Sequence, residues 1–234
     1  MGFLDHFAFI AEALAHLSVG IPRTILLAVA SLLIGFVLAI GVAAALLSQA
    51  FLPRWIANGY VYIFRSSPLL VQIFLIYYGS GQFRSLFESL GLWGLFREAW
   101  FCAILALALN TCAYQAVLIA GGLRAVPWGQ IEAAQAVGMS RCRVFVTVAF
   151  PQALRHALPA YSNEVVLMIK ATALASTITI LEITGLAKQM ASETYRPFEV
   201  FAAAGLVYIA LNGAVAAGFT RGERFLRRNV AQRT

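Results

Sequence analysis

Long apolar runs separated by short polar stretches are the dominant pattern of this chain. Five runs approach or exceed the roughly 20 helical residues that cross a hydrocarbon core. They cover residues 24–47, 58–79, 100–120, 160–181 and 200–220. Only the second and the fourth run carry a charged residue well inside. Runs of this length with so few charges predict an all-α integral membrane protein with five transmembrane helices.

Composition indicates the same class of protein. Hydrophobic residues make up 61% of the chain and charged residues 12%, whereas the apolar share of a soluble domain is about 45–50%. The net charge of +7 comes from arginine clusters beside the apolar runs, with no basic stripe interleaved with aromatic residues. We therefore expect the lipid bilayer, and no nucleic acid, to be the partner of these charges.

The cysteines and histidines follow no pattern that is typical of a chemical site. The spacing of Cys102, Cys112 and Cys142 suits neither a disulfide framework nor a zinc site, and the histidines stand alone. We interpret the cysteines as packing residues. We expect no metal site and no cofactor bound by this chain.

Basic residues are distributed unequally between the two sides of the predicted spans. Eleven of them follow the first, third and fifth spans, while five lie on the other side together with most of the acids. The positive-inside rule predicts an N-terminus outside the cytoplasm and a cytoplasmic loop over residues 121–159. It also predicts a cytoplasmic C-terminus with a basic tail over residues 221–234, which leaves residues 20–220 as the transmembrane domain.

The first 19 residues precede the first span and form a separate amphipathic segment. Their apolar side chains recur at helical spacing, at Phe3, Phe7, Ile10, Leu14 and Leu17. Such a helix lies on the outer membrane surface or packs against the helical bundle, and the pattern favours neither. The stretch contains two acids and neither lysine nor arginine, so we expect no cleaved signal peptide.

Small residues recur at every fourth position on two spans. The rows consist of Gly35, Ala39 and Ala43 on the first span and of Ala210, Ala214 and Gly218 on the fifth. Rows of this kind let two membrane helices approach each other closely.

The predicted cytoplasmic loop contains clear helix boundaries. Pro127 suits the first turn of a helix, and Gly138 suits the left-handed position after a helix end. They predict a short helix over about residues 127–137. Ser140 can cap a second helix. We expect that helix to end near Pro151, because the proline ring removes a backbone donor and clashes with the preceding turn.

The residues of this loop also follow a spaced pattern. Glu132-Ala133-Ala134 is followed by three residues and Gly138, then by nine residues and Val148-Ala149-Phe150-Pro151. The pattern resembles the EAA-x3-G-x9-I-x-L-P coupling signature of the membrane subunits of bacterial ATP-binding-cassette (ABC) importers, with Val and Phe in place of Ile and Leu. The alternative is an amphipathic hairpin on the bilayer surface, with Glu132 near the positive end of its helix. That alternative explains the helix but not the whole pattern.

Further stretches are similar to the polar amino acid permeases of these importers, above all to the histidine, lysine/arginine/ornithine and octopine/nopaline type. They cover residues 65–72, 77–79, 110–114, 126–134, 151–155, 158–165 and 195–199. The resemblance implies the type I importer permease fold with five spans and a cytoplasmic coupling helix.

The resemblance also implies partners. Permeases of this kind pair with a second, homologous permease, two ATPase subunits and an external substrate-binding protein. The coupling helix enters a groove of the ATPase, which holds the ATP and Mg²⁺. By resemblance, this coupling role falls here to Gln130, Glu132, Ala133, Ala134, Gly138 and Pro151. Because the chain has no G-x-x-x-x-G-K-[ST] phosphate loop, we expect a non-catalytic transport subunit.

Two regions depart from the family pattern. Val117 stands where a carboxylate often follows the Ala-Tyr pair, and Ala120 stands where an arginine commonly follows. The usual Arg-Gly-Thr-Pro of the second span is Arg-Ser-Ser-Pro here, which lowers backbone freedom and keeps Pro68. We expect a kinked helix at Pro68, with Arg65 serving as a gate or reaching the nearby interface with its long side chain.

Charged residues inside a span cost roughly 2.5–3.5 kcal/mol on insertion scales and usually face a cavity, a partner or an interface. In the fourth span they are Glu164 and Lys170, which lie about 120° apart on a helix and are not expected to pair. Other polar positions complete the predicted substrate path: Asn163, Thr172, Ser176 and Thr179 on the fourth span, and Asn110 and Tyr114 on the third.

Each of these positions also has a structural interpretation. Glu164 can bond to neighbouring backbone, Lys170 can pair with a partner subunit, and threonine hydroxyls often bond to their own helix. Packing within the bundle is the more common role for residues such as Asn110 and Tyr114.

The sequence thus predicts a permease subunit of the bacterial inner membrane. It conducts a polar, basic or opine-type amino acid inward by alternating access, and the ATP that drives it is bound elsewhere. Two alternatives are an ion-gradient-driven secondary carrier and a non-transporting membrane anchor or sensor that recruits the ATPase.

Overall fold

Helices make up nearly the whole chain in the computed structural model, which describes residues 3–231. The α-helices are α1 (Phe3–Ser18), α2 (Ile21–Leu46), α3 (Phe51–Ser66), α4 (Leu69–Gln82), α5 (Arg84–Ser89), α6 (Trp93–Phe96), α7 (Ala99–Arg124), α8 (Trp128–Ala136), α9 (Arg141–Val144), α10 (Phe150–Ala171), α11 (Ile183–Thr194) and α12 (Pro197–Ala231). A π-helical turn (Phe145–Ala149) precedes α10, and a 3₁₀ helix (Thr172–Ile178) follows it. The predicted all-α class is confirmed.

Three helices, α2, α7 and α12, are each long and apolar enough to cross a membrane. Two further candidate spans are bent pairs. α3 and α4 meet at 101°, and the helical run 141–178 meets α11 at 48°. The five predicted spans therefore correspond to three single helices and two broken ones. The kink expected at Pro68 is present as a complete break between α3 and α4.

The centre of the bundle is α7, which contacts α2, α3, α4 and α10. Gly35 permits the close approach of α2, because a Cβ atom there would lie 2.5 Å from Thr111 Cγ2 and 2.9 Å from the Ala108 carbonyl oxygen. Ala39 and Ala43 continue this row and are buried. The small-residue row predicted on the first span is thus a helix contact surface.

Helix α1 packs on the bundle. Its residues Ala13 and Leu17 are buried against α11 and α12. At its other end, His6 Nδ1 lies 2.9 Å from Glu199 Oε1. Of the two placements that the amphipathic pattern left open, the structure has the packed one. The side chains of Phe3 and Phe7 lie outside the described residues.

The expectation that the second loop helix ends near Pro151 was wrong. The helical run continues from α9 through the π-helical turn into α10, with Pro151 in the first turn of α10 and Pro159 inside it. A proline ring clashes with the carbonyl group four residues earlier in a regular α-helix. The wider π-helical turn displaces that carbonyl group and lets the helix continue through the proline.

The cysteines are only partly the packing residues that the sequence predicted. Cys102 and Cys112 are buried in α7, whereas Cys142 is exposed on α9. The prediction was wrong for Cys142, which lies in the polar loop at a position where no other element covers it.

Candidate functional site

The 121–159 loop folds as the boundaries in its sequence predicted. Helix α8 begins after Pro127, which occupies the N-cap position, and ends before Gly138, whose φ is +82°. No atom lies within 4 Å of a Cβ built on Gly138, so its backbone conformation and not crowding requires glycine. Ser140 Oγ accepts a hydrogen bond of 3.4 Å from the Arg143 backbone N–H and caps α9. Two short helices therefore meet at a glycine bend.

Helix α8 presents an uncovered surface. Glu132 and Ala133 are exposed, while Ala134 faces the rest of the chain and is buried. Two large apolar side chains stand at the helix ends, Trp128 with 70% and Val137 with 79% of its surface exposed. Sequence reasoning assigned neither of them a role, although an apolar residue at each end of a polar loop helix was a usable signal. The surface suits a groove on another protein that accepts apolar ends and a central carboxylate.

A side-chain hydrogen bond joins α8 to the start of α10. Gln152 Nε2 donates to Gln130 Oε1 and also to the Val148 carbonyl oxygen, the latter at 3.1 Å. Gln130, which the sequence assigned to ATPase coupling, therefore contacts its own chain. Pro151 is half-buried beside this bond. Gln152 lies in the recognised stretch 151–155 but was given no role, and its partner is 22 residues away along the chain.

The break between α3 and α4 leaves backbone carbonyl groups of α3 without their helical partners. The Ile63 carbonyl oxygen accepts two hydrogen bonds from Ser67, one from its backbone N–H at 3.1 Å and one from its hydroxyl at 2.7 Å. The Phe64 carbonyl oxygen accepts from Gln72 Nε2 at 3.0 Å. Polar side chains thus replace the backbone bonds that Pro68 cannot continue.

Asn110 connects this break to the central helix. Its Nδ2 group donates to the Phe64 carbonyl oxygen at 3.1 Å and to Gln72 Oε1 at 3.0 Å. The predicted substrate-path residue Asn110 therefore clamps the break between α3 and α4. Gln72, which lies in a recognised stretch but was given no role, is its partner.

Arg65 and Tyr114 stand together beside the break. The Arg65 guanidinium carbon lies 5.0 Å from the centroid of the Tyr114 ring, a cation–π contact. Both residues line a cleft of about 570 Å³ with Asn58, Val61, Tyr62 and Ser66. The structure therefore brings together the predicted gate residue and one of the predicted path residues.

Glu164 belongs to a buried polar network between α2, α7 and α10. Its Oε1 atom accepts a hydrogen bond of 2.8 Å from the Thr111 hydroxyl. Gln115 donates to the Thr111 hydroxyl oxygen at 3.2 Å and to the Leu32 carbonyl oxygen at 3.4 Å. The positive charge of Arg65 interacts electrostatically with the Glu164 carboxyl group. An acid placed in this way can interact with a positive group that reaches the network between α2, α7 and α10.

Lys170 and Glu164 do not pair, as expected from their spacing. Lys170 is exposed and borders a separate cleft of about 500 Å³ between α10 and α12. Asn163, the other predicted path residue of α10, is exposed and makes no hydrogen bond through its side chain in the part of the chain described here.

The polar row predicted along the fourth span is absent. Residues 172–178 form a 3₁₀ helix, so Thr172 and Ser176 lie about 120° apart and not one turn above each other. Thr179 ends that helix with a left-handed φ of 70°. The Thr172 hydroxyl is buried and donates to the Ile169 carbonyl oxygen at 2.7 Å, which is the structural role considered for threonine.

Comparison with known proteins decides the family. The profile described as "Binding-protein-dependent transport system inner membrane component" matches residues 35–227. The chain belongs to this family. The permease is 57% identical over 206 residues to the nopaline transport system permease protein NocM of Agrobacterium fabrum, with 88% of this chain and 86% of the relative covered.

Two further relatives are also transport permeases. The permease is 53% identical over 204 residues to the octopine transport system permease protein OccM of Rhizobium meliloti, covering 87% and 83% of the two chains. It is 44% identical over 205 residues to the arginine ABC transporter permease protein ArtM of Haemophilus influenzae, covering 86% and 88%.

Solved structures support the fold. A crystal structure of an amino acid ABC transporter with histidines aligns with a TM-score of 0.80 and 30% identity over 96% of this chain and 98% of the other. The methionine ABC transporter MetNI aligns with a TM-score of 0.73 at 20% identity over 90% and 95%, a likeness of fold alone. The predicted importer permease class and type I fold are confirmed, the secondary carrier is not favoured, and the permease is an inner-membrane component.

One buried acid of the permease escaped the sequence analysis. Glu182 is fully buried before α11. Its Oε1 atom accepts from the Gly185 backbone N–H at 2.8 Å, and Oε2 accepts from the Tyr208 hydroxyl at 2.7 Å. It therefore caps α11 and ties it to α12. It directly follows an apolar run, a position that is typical of a residue at the membrane interface.

Proposed function

We propose that this permease carries a basic or opine-type amino acid inward across the membrane by alternating access. The observation that carries the substrate class is its identity of 44–57% with permeases named for nopaline, octopine and arginine. These three compounds share a guanidinium group. A single substrate class with a cationic end group therefore accounts for all three names.

Glu164 is the acid that we assign to this cationic group. It is the carboxylate of α10 that is held at the centre of the bundle, and its hydrogen bond from Thr111 fixes its orientation toward α7. Arg65 and Tyr114, at the nearby cleft, line the same path and act with the break at Pro68 as its gate. Asn163, Lys170, Thr172 and Ser176 are given no part in this contact, because no hydrogen bond or ion pair in the described structure joins any of them to Glu164.

Coupling to a separate ATPase is assigned to the surface of α8. Glu132, Ala133 and Ala134 form its central turn, Gly138 ends it, and Trp128 and Val137 supply exposed apolar ends. The ATPase holds ATP and Mg²⁺, and this chain has no catalytic role. Gln130 and Pro151 act on the inner side, where Gln152 joins α8 to α10.

The complete importer contains a second, homologous permease, two ATPase subunits and an extracytoplasmic substrate-binding protein. The N-terminus lies outside and the C-terminus in the cytoplasm, because most basic residues lie in the 121–159 loop and in the C-terminal tail. In domain terms, residues 1–19 are an amphipathic segment, residues 20–220 the transmembrane domain and residues 221–234 the basic tail.

Reconstitution into lipid vesicles tests this function. The permease is combined with its second permease, the ATPase and the binding protein, and uptake of labelled arginine, nopaline and a neutral amino acid is measured. We expect uptake only with ATP and the ATPase, and preference for the guanidinium compounds. Uptake by this chain alone in an ion gradient would establish the carrier. Intact assembly with no uptake of any substrate would support the anchor.

A further inference from the structure

Lys170 is a membrane-embedded charge that the proposed mechanism does not use. It is exposed, and no residue in the described part of the chain forms an ion pair or side-chain hydrogen bond with it. Its cleft is walled by apolar atoms of Ala173, Tyr208 and Ile209. A lone charge in such surroundings is costly, and one way to offset the cost is a partner of opposite charge.

A second unpaired polar group lines the same cleft. Asn212 is 9% exposed, and its Nδ2 group donates to the Tyr208 carbonyl oxygen of the same helix at 2.8 Å. Its Oδ1 atom is buried and has no hydrogen-bond partner among the described residues. Buried oxygen acceptors in proteins nearly always have a donor. The cleft therefore offers one cation and one free acceptor to a group that the described part of this chain does not supply.

Helix α12 extends the cleft into a stripe of small residues. The stripe consists of four small exposed residues within about 40° of Ile209 on the helix, namely Ala202, Gly205, Gly213 and Ala216, and the exposed Phe198 and Thr220 lie at its two ends on the same face. A Cβ atom built on Gly205 or Gly213 would meet no atom within 4 Å. Glycine and alanine in such a row let a second helix approach closely, yet no helix of the described chain lies there.

We propose that a helix of the second permease subunit packs on this stripe and places a carboxylate beside Lys170. The inference rests on the proposed function, which includes that second subunit. A carboxylate neutralises Lys170, and a hydroxyl or amide donor of the same helix satisfies Asn212 Oδ1. An amino acid substrate would need several polar contacts, whereas this cleft offers Lys170 and Asn212 Oδ1 among apolar atoms and opens onto the small-residue stripe. A helix fits this shape.

Site-specific photo-crosslinking in the assembled importer tests the contact. A photoreactive amino acid replaces Ile209 in the membrane-embedded complex. The control replaces Ala214, which is also exposed on α12 but lies about 140° away around the helix. We expect position 209 to form an adduct with the second permease and position 214 to form fewer. Lipid adducts alone at position 209 overturn the inference.

Charge substitutions test the carboxylate. Lys170→Glu should lower the amount of second permease that co-purifies about tenfold or more, because it opposes two carboxylates inside the membrane, whereas Lys170→Arg should retain assembly. If the acidic residue of the second permease that lies beside the crosslink is replaced by lysine, assembly of the Lys170→Glu variant should be restored. Normal assembly of Lys170→Glu overturns the inference, and so does a change confined to the substrate dependence of uptake, which would assign Lys170 to the substrate.

The two proposals fail differently. If the second permease co-purifies with wild-type chain but never crosslinks at position 209, the contact is wrong and the proposed importer assembly stands. If no second permease co-purifies with the wild-type chain, the proposed assembly itself is wrong.

Discussion

Gln152, at the start of α10, donates a side-chain hydrogen bond to Gln130 on α8. The two residues flank the signature that runs from Glu132 to Pro151, and the Gly138 bend, α9 and the π-helical turn lie between them along the chain. We therefore expect this bond to pass movement of α8 to α10 directly, in addition to the path along the backbone. Because α10 carries Glu164 into the bundle, this bond lies between the proposed ATPase-binding surface and the proposed substrate contact.

Removal of this bond should weaken coupling more than assembly. A hydrogen bond contributes about 0.5–1.5 kcal/mol, so Gln152→Ala should lower the ratio of substrate imported to ATP hydrolysed by about 2- to 10-fold. Uptake and phosphate release are measured in the same vesicles. The control is Gln135→Ala, because Gln135 is exposed on α8 and makes no side-chain hydrogen bond in the described structure. Equal ratios in both variants would contradict a coupling role for Gln152.

Reversal of the charge on α8 should separate the permease from its ATPase. Glu132→Arg should insert normally, because the residue is exposed outside the spans, yet abolish uptake and lower the amount of ATPase that co-purifies. Gln135→Arg introduces the same residue on the same helix about one turn away and should have a smaller effect. Normal uptake by Glu132→Arg would remove α8 from the mechanism.

Neutralisation of Glu164 should weaken substrate binding inside the membrane. A hydrogen bond to a charged group contributes about 1.5–3 kcal/mol, so Glu164→Gln should raise the arginine concentration for half-maximal uptake about tenfold or more. Glu88→Gln is the control, because Glu88 pairs with Arg84 on an exposed surface. An unchanged concentration dependence would leave Glu164 as a purely structural partner of Thr111.

The close approach of α2 and α7 should depend on Gly35. A methyl group at this position meets Thr111 and Ala108 at less than van der Waals distance, and overpacking of this kind typically costs about 1–3 kcal/mol. Gly35→Ala should lower the thermal unfolding midpoint in detergent. Gly41→Ala is the matched control on the same helix, because no atom lies within 4 Å of its added Cβ. Equal thermal unfolding midpoints for both variants would show that α2 and α7 can move apart without a loss of stability.

Local features predicted the coupling loop well. Pro127, Gly138 and Ser140 act through their own backbone and nearest neighbours, so the two helices and the bend between them follow from the chain itself. Pro151 misled the prediction, because a proline ends a regular helix but is accommodated after a π-helical turn. That turn forms within a long packed helix, which no local rule for proline describes.

The polar site inside the membrane was less predictable, because its partners come from distant helices. The Asn110 clamp requires the break at Pro68 and the contact of α7 with α4. Thr172 and Ser176 lost their shared face when the chain tightened from α-helix to 3₁₀ helix. Glu182 is buried only because Tyr208 of α12 reaches it. Each of these contacts depends on tertiary packing.

The most direct test of the account is crosslinking from the end of α8 during the ATP cycle. A photoreactive amino acid replaces Val137, which is 79% exposed, and photochemistry avoids reaction at the exposed native thiol of Cys142. In the assembled importer, position 137 should form an adduct with the ATPase from the cytoplasmic side, and the adduct yield should change when ATP is added. Labelling of position 137 from outside the cytoplasm, or an adduct with no ATPase, would contradict the account.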